Sequence, residues 1–173
     1  MNILPELSDA ICRLLRRTGR EGVEELILFM RTNGYFMASC HRHHYYVGGM
    51  AQHAFEVYLY MKTHIPTMSE DSLIIVSLLH DICDISGFRE YPGHGRRSVG
   101  LLDECHFPLT NEERRLIRYH MFRVSARTPE EQREVAETHA TLEWQVFKNA
   151  DCHSASNPMT PEQTLDEIER LDL

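Results

Sequence analysis

The chain has 173 residues, 18 Lys and Arg against 26 Asp and Glu, and a formal net charge of −8. That length suits one domain burying roughly 70% of its unfolded surface, and the acidic balance weighs against a nucleic-acid or anionic-membrane binder. Five scattered cysteines, odd in number and with no CxxC pair, argue against a disulfide framework or a cysteine-rich zinc site and predict reduced thiols in a cytoplasm.

Taken in order, residues 1–33 predict two packing helices, Ser8 to Arg17 and Gly22 to Thr32, stopped by Asn33-Gly34. The first residues lack a positive segment ahead of an apolar run, and nowhere do eighteen uncharged apolar residues follow one another, so neither export nor a membrane span is expected. Tyr35 to Val47 reads as irregular and histidine-rich. Cys40, His41, His43 and His44 lack the distant second pair of a structural zinc site; the expectation is instead that one histidine, His44, lines a pocket. Gly48-Gly49 marks a close backbone passage, and a helix follows from about Met50 to Thr63, with His53 beside its apolar stripe.

Ser69 to Asp84, SEDSLIIVSLLHDICD, is the stretch around which the chain is organised. Ser69 caps a helix with Glu70 and Asp71 in its first turn, and Leu73 to Leu79 is apolar on every side, as a central core helix requires. At its far end stand His80 and Asp81. Buried without partners they would cost several kcal/mol, on the order of the penalty for an unpaired charge, and a metal ion removes that penalty. Ile85 to Arg97 reads as a loop that places His94 between two glycines, and helix resumes over Ser98 to Cys105. Thr110-Asn-Glu-Glu113 is a capping box opening a helix that carries Arg118 and His120 near its end. Thr128-Pro129-Glu130-Glu131 is read as a second box, opening one long helix to about Asp151, and Thr160-Pro161 opens a short C-terminal helix. No strand or repeat is indicated. The chain therefore reads as all-α, a single domain of seven to nine helices.

Eleven histidines are the compositional excess that matters, because imidazole is the commonest metal ligand and the natural proton carrier near neutrality. The candidate ligands are His53, His80, Asp81, His94, His120 and Asp151, drawn from five segments. This mixed nitrogen and oxygen set suits Fe, Mn, Co, Ni or Zn as divalent ions without choosing among them.

At these positions the chain resembles the HD superfamily of metal-dependent phosphohydrolases. His53, the pair His80-Asp81 and Asp151 follow that family's H…HD…D signature, and the neighbouring words GGMAQHAFEV, LLHDICD, GHGRRSVGLL and IRYHM also fit, the last two matching the extra-histidine branch. The resemblance covers about residues 35–154. It implies an HD-type helical bundle whose metal-binding domain spans 35–155, flanked by N-terminal helices in 1–34 and a C-terminal helix in 156–173, in one compact unit. It also implies one ion on His53, His80, Asp81 and Asp151, and a second on His94 and His120 with Asp81 bridging; a single ion, with His94 and His120 on substrate phosphate, is the alternative. Asp84 stands where many members carry lysine, so it either orients and deprotonates the attacking water or accepts a hydrogen bond from a ligand histidine. Arg96, Arg97, Arg118 and Arg123, with His44, are the expected substrate contacts. The implied function is hydrolysis of a small phosphorylated molecule, a nucleotide above all. A regulatory module that binds metal and nucleotide without turnover, and a diiron oxygenase, are the alternatives.

Overall fold

The computed structural model describes residues 3–40, 43–86, 93–121, 124 and 126–173. Among these residues there are nine α-helices and no strand: α1 Leu4–Arg17, α2 Val23–Thr32, α3 Gly49–His64, α4 Glu70–Leu79, α5 His94–Glu104, α6 Asn111–Tyr119, α7 Pro129–His139, α8 Leu142–Ser156 and α9 Pro161–Arg170. Two 3-10 turns, Tyr35–Met37 and Ile82–Ser86, complete the described elements.

The fold is built round α4. Every residue from Leu73 to Leu79 is buried, and the helix packs against α1, α3 and α6, while α3 also lies along α8. Ser69 caps it as expected, its hydroxyl accepting from the Ser72 N–H, a contact worth about 1 kcal/mol. The other end is closed from two sides. Tyr35 donates its phenol to the Leu78 carbonyl at 2.5 Å, and His80 donates Nδ1–H to the Ser77 carbonyl at 2.8 Å. Carbonyls that a helix leaves without partners at its last turn are thereby satisfied, and Ile82–Ser86 tightens into a 3-10 turn directly after the His80-Asp81 pair.

Three boundaries differ from the sequence reading. α1 begins at Leu4, with Pro5 in its first turn, where a missing N–H has no cost. α5 begins at His94 rather than Ser98, because Gly93 turns the backbone at φ +142°. The long helix expected from Thr128 is two helices: the Thr141 side chain accepts from the Trp144 N–H, starting α8 afresh and leaving Asp151 within that helix rather than at its end. The box at Thr128 is also half made. Thr128 accepts from Glu131 N–H, but the Glu131 carboxylate accepts from Arg127 N–H instead.

The box at Thr110 is complete and does more than cap. Glu113, fully buried, accepts from the Thr110 N–H, from Ser72 Oγ and from both ends of the Arg20 guanidinium at 2.9 and 3.0 Å. Burial pushes its carboxyl pKa up, but Arg20, Thr110 and Ser72 together hold it below 4.5. A depressed carboxylate stabilises the fold above its ordinary range and loses that contribution as pH falls through the folded value. Glu113→Ala is expected to cost about 3 kcal/mol by leaving Arg20 without its buried partner. Urea midpoints at neutral pH and below pH 4.5 test this: the variant should lose less than the wild type on acidification.

Candidate metal centre

Four histidines and two aspartates named from the sequence meet at one place. Asp81 is the hub. Its Oδ1 lies 3.1 Å from His94 Nε2 and 3.4 Å from His120 Nε2, and its Oδ2 lies 3.5 Å from His80 Nε2. His53 Nε2 stands 3.4 Å from Asp151 Oδ1, and the His53 and His80 rings are 5.3 Å apart between centroids. Donor atoms of His53, His80 and Asp81 lie within 4.8 Å of one another, as do those of Asp81, His94 and His120.

Hydrogen bonds behind the rings fix their tautomers. A carbonyl oxygen only accepts, so His80 bonded to Ser77 and His120 bonded to Ile117 at 2.7 Å both carry their proton on Nδ1. Ser154 gives its one proton to Glu56 at 2.5 Å and so accepts from His53 Nδ1–H at 2.9 Å. In their neutral forms all three imidazoles therefore turn an Nε2 lone pair inward. With the His120 proton on Nδ1, its Nε2 accepts from His94 Nε2 at 2.8 Å, whereas the buried atoms His53 Nε2, His80 Nε2 and Asp81 Oδ1 are left without a hydrogen-bond partner of good geometry. Acceptors facing acceptors in a buried space are stabilised by a cation among them, and carboxylates with imidazoles locked from behind are the donor set of a divalent transition ion. The residues fit the group.

The electrostatics divide the rings. Burial, partly opposed by Asp81, holds His80 down at about 4, so its ring is neutral and available at physiological pH. Burial also lowers His53 and His94, but the carboxylates, Asp151 on the former and Asp81 on the latter, raise both above the ordinary histidine value. Half-buried Asp81 is pushed up by desolvation but held well below the usual carboxylate range by His80, His94 and His120. Asp84 is the exception. Burial first and the charge of Asp81 second push it up to about 6, where a carboxylate is a proton acceptor near neutrality.

Close packing sets the His94–His120 distance. A Cβ on Gly95 would fall 2.4 Å from the Ile117 carbonyl and 2.7 Å from that of Arg118, so only glycine lets α5 lie this near the end of α6. Gly95→Ala is expected to cost about 1–3 kcal/mol by overpacking and to weaken metal binding at the Asp81–His94–His120 end, as read by thermal unfolding together with metal titration.

The expected substrate contacts are distributed differently. Arg96 and Arg118 both place Nη2 2.8 Å from Glu131 Oε1. His44 is buried, with Nε2 3.1 Å from Glu56 and Nδ1 3.0 Å from His43. The charge of Arg97 partly opposes the rise that burial imposes on Asp84 and Cys83. Arg123 and His41 lie outside the described residues. Sequence reasoning missed Lys148, whose Nζ is 3.9 Å from Asp151 and also meets Cys152, and Ser154, and it gave no role to Glu56, one turn after His53. Helical spacing was the available signal: Glu56 follows His53 by three residues, and Lys148 and Ser154 flank Asp151 by three.

No helix among the described residues is long and apolar enough to cross a membrane. The chain matches no protein-family model, no curated protein and no solved structure.

Proposed function

We propose that the chain is a metal-dependent phosphohydrolase of the HD type that cleaves a phosphoester or phosphoanhydride bond in a nucleotide or related small phosphorylated molecule. The observation that carries the reading is the convergence of unpartnered His53 Nε2, His80 Nε2 and Asp81 Oδ1 with His94, His120 and Asp151 in overlapping, partly buried groups that share Asp81 and His53. His53, His80, Asp81 and Asp151 would hold one divalent ion, and Asp81, His94 and His120 a second. Bound there, such ions would supply positive charge to phosphoryl oxygens and lower the pKa of water.

The chain's own residues do the rest. Asp84 takes the proton of the attacking water onto its carboxylate, one turn beyond Asp81, whose carbonyl accepts from the Asp84 N–H at 2.9 Å. Arg97, whose charge acts on Asp84, and Lys148, 3.9 Å from Asp151, are the cations we assign to substrate phosphate. Tyr45 and Tyr46 are exposed on the loop before α3, and the Tyr46 ring lies 5.9 Å from that of His44; such faces stack on a base.

A panel of nucleotides and p-nitrophenyl phosphate offered to protein reconstituted with Mn(II), Co(II) or Fe(II) tests the reading. Phosphate release dependent on metal is expected. Nucleotide binding with no release under any metal would replace it with the regulatory reading, and oxygen consumption by the iron form without phosphate release would replace it with an oxygenase.

A further inference from the structure

The loop ahead of α3 brings a further imidazole to the cluster. A ring nitrogen of His43, one of His53 and a carboxylate oxygen of Asp151 lie within 4.8 Å of one another, and the His43 and His53 rings are 4.6 Å apart. The loop is pressed into place. A Cβ on Gly49 would sit 2.0 Å from the His44 carbonyl, Gly48 turns at φ +83°, and His44 itself adopts φ +48°, a conformation that a non-glycine residue keeps only when its surroundings impose it.

What imposes it is Glu56. This buried carboxylate accepts from Gln52 Nε2 at 3.0 Å, the Met159 N–H at 2.9 Å, Ser154 Oγ at 2.5 Å and His44 Nε2 at 3.1 Å. Since the carboxylate only accepts, His44 carries its proton on Nε2 and turns a lone pair on Nδ1 towards His43 Nδ1, 3.0 Å away. His43 must then donate from Nδ1, which leaves Nε2 as its lone pair. Glu56 thus orients two imidazoles along two arms, His53 through Ser154 and His43 through His44, and both carry a proton on Nδ1, which leaves Nε2 as the lone pair of the neutral ring. An orienting carboxylate behind an imidazole is the arrangement that metal-ligating histidines use.

On the reading that the cluster binds metal, we infer that His43 is a further ligand at the His53–Asp151 end, with Glu56 and His44 as its positioning residues. A third imidazole there favours Zn(II), Co(II), Ni(II) or Fe(II) over harder ions. A competing set on the same loop, Cys40, His43 and His44, also brings donor atoms within 4.8 Å, but both His44 nitrogens are engaged by hydrogen bonds and the Cys40 thiol contacts the Gly49 carbonyl.

The test uses Co(II) on the full chain, read by its visible absorption and by chelator competition. His43→Gly and the bulk-preserving His43→Gln should each change the spectrum and weaken binding about 100-fold, and Glu56→Gln about tenfold. Added imidazole should restore the wild-type spectrum to His43→Gly. Wild-type spectrum and affinity in both His43 variants would overturn the inference while leaving the Asp81 centre intact. Near-ultraviolet thiolate-to-cobalt absorption lost in Cys40→Ser would overturn it in favour of the loop site. A wild-type chain that binds no Co(II) would overturn the metal reading itself.

Discussion

Asp81→Ala and His80→Ala are each expected to strip the centre of metal and reduce hydrolysis to background while leaving the chain helical. Asp81 faces three imidazoles between 3.1 and 3.5 Å, so its removal takes one donor from both ends of the cluster at once. His80 is fully buried, with Nε2 turned inward by its bond to Ser77, and no described side chain stands ready to replace it. The fold does not depend on either group, because α4 is held by Leu73 to Leu79 packed against α1, α3 and α6. His94→Ala and His120→Ala should instead lower the content from about two ions to about one, as expected of a dinuclear site losing one member. Elemental analysis beside circular dichroism checks the series. Full metal content in both Asp81→Ala and His80→Ala would place the centre elsewhere.

Asp84→Asn is expected to lower turnover about 100- to 10,000-fold with little change in substrate affinity or metal content, the signature of a lost proton acceptor. The amide keeps the shape but cannot take a proton. Asp84→Lys should fail as well, since the half-buried Asp84 carboxylate feels the Asp81 charge and lysine there supplies no base. If Asp84 only supports a ligand, Asp84→Asn weakens metal binding about tenfold and activity returns at high Mn(II). A low plateau at saturating Mn(II) selects the base; recovery selects the support.

Much of this architecture is legible in the residues because the signals are local. Ser69 with an apolar run behind it specifies a buried helix, and Thr110 with Glu113 specifies its box. The hub also shows in sequence, since two polar residues at the end of a buried helix demand partners. What does not show is tertiary competition for the same atoms. Glu131 reads as the return half of a box at Thr128, yet its carboxylate meets Arg127 N–H, Arg96 and Arg118. The break at Ala140-Thr141 hides inside a helical pattern because Thr141 is a tolerable helix residue until its hydroxyl finds the Trp144 N–H. His44 looks like any loop histidine until Glu56, from the next helix, turns it inward against His43. Those partnerships depend on how helices meet, which no periodicity encodes.

The most direct test of the account is anomalous diffraction from crystals of the wild-type chain saturated with Mn(II), a measurement that locates ions without assuming ligands. The account predicts two peaks that share Asp81, one also bonded to His53, His80 and Asp151 and the other to His94 and His120. Peaks away from Asp81, or none at saturation, would contradict it.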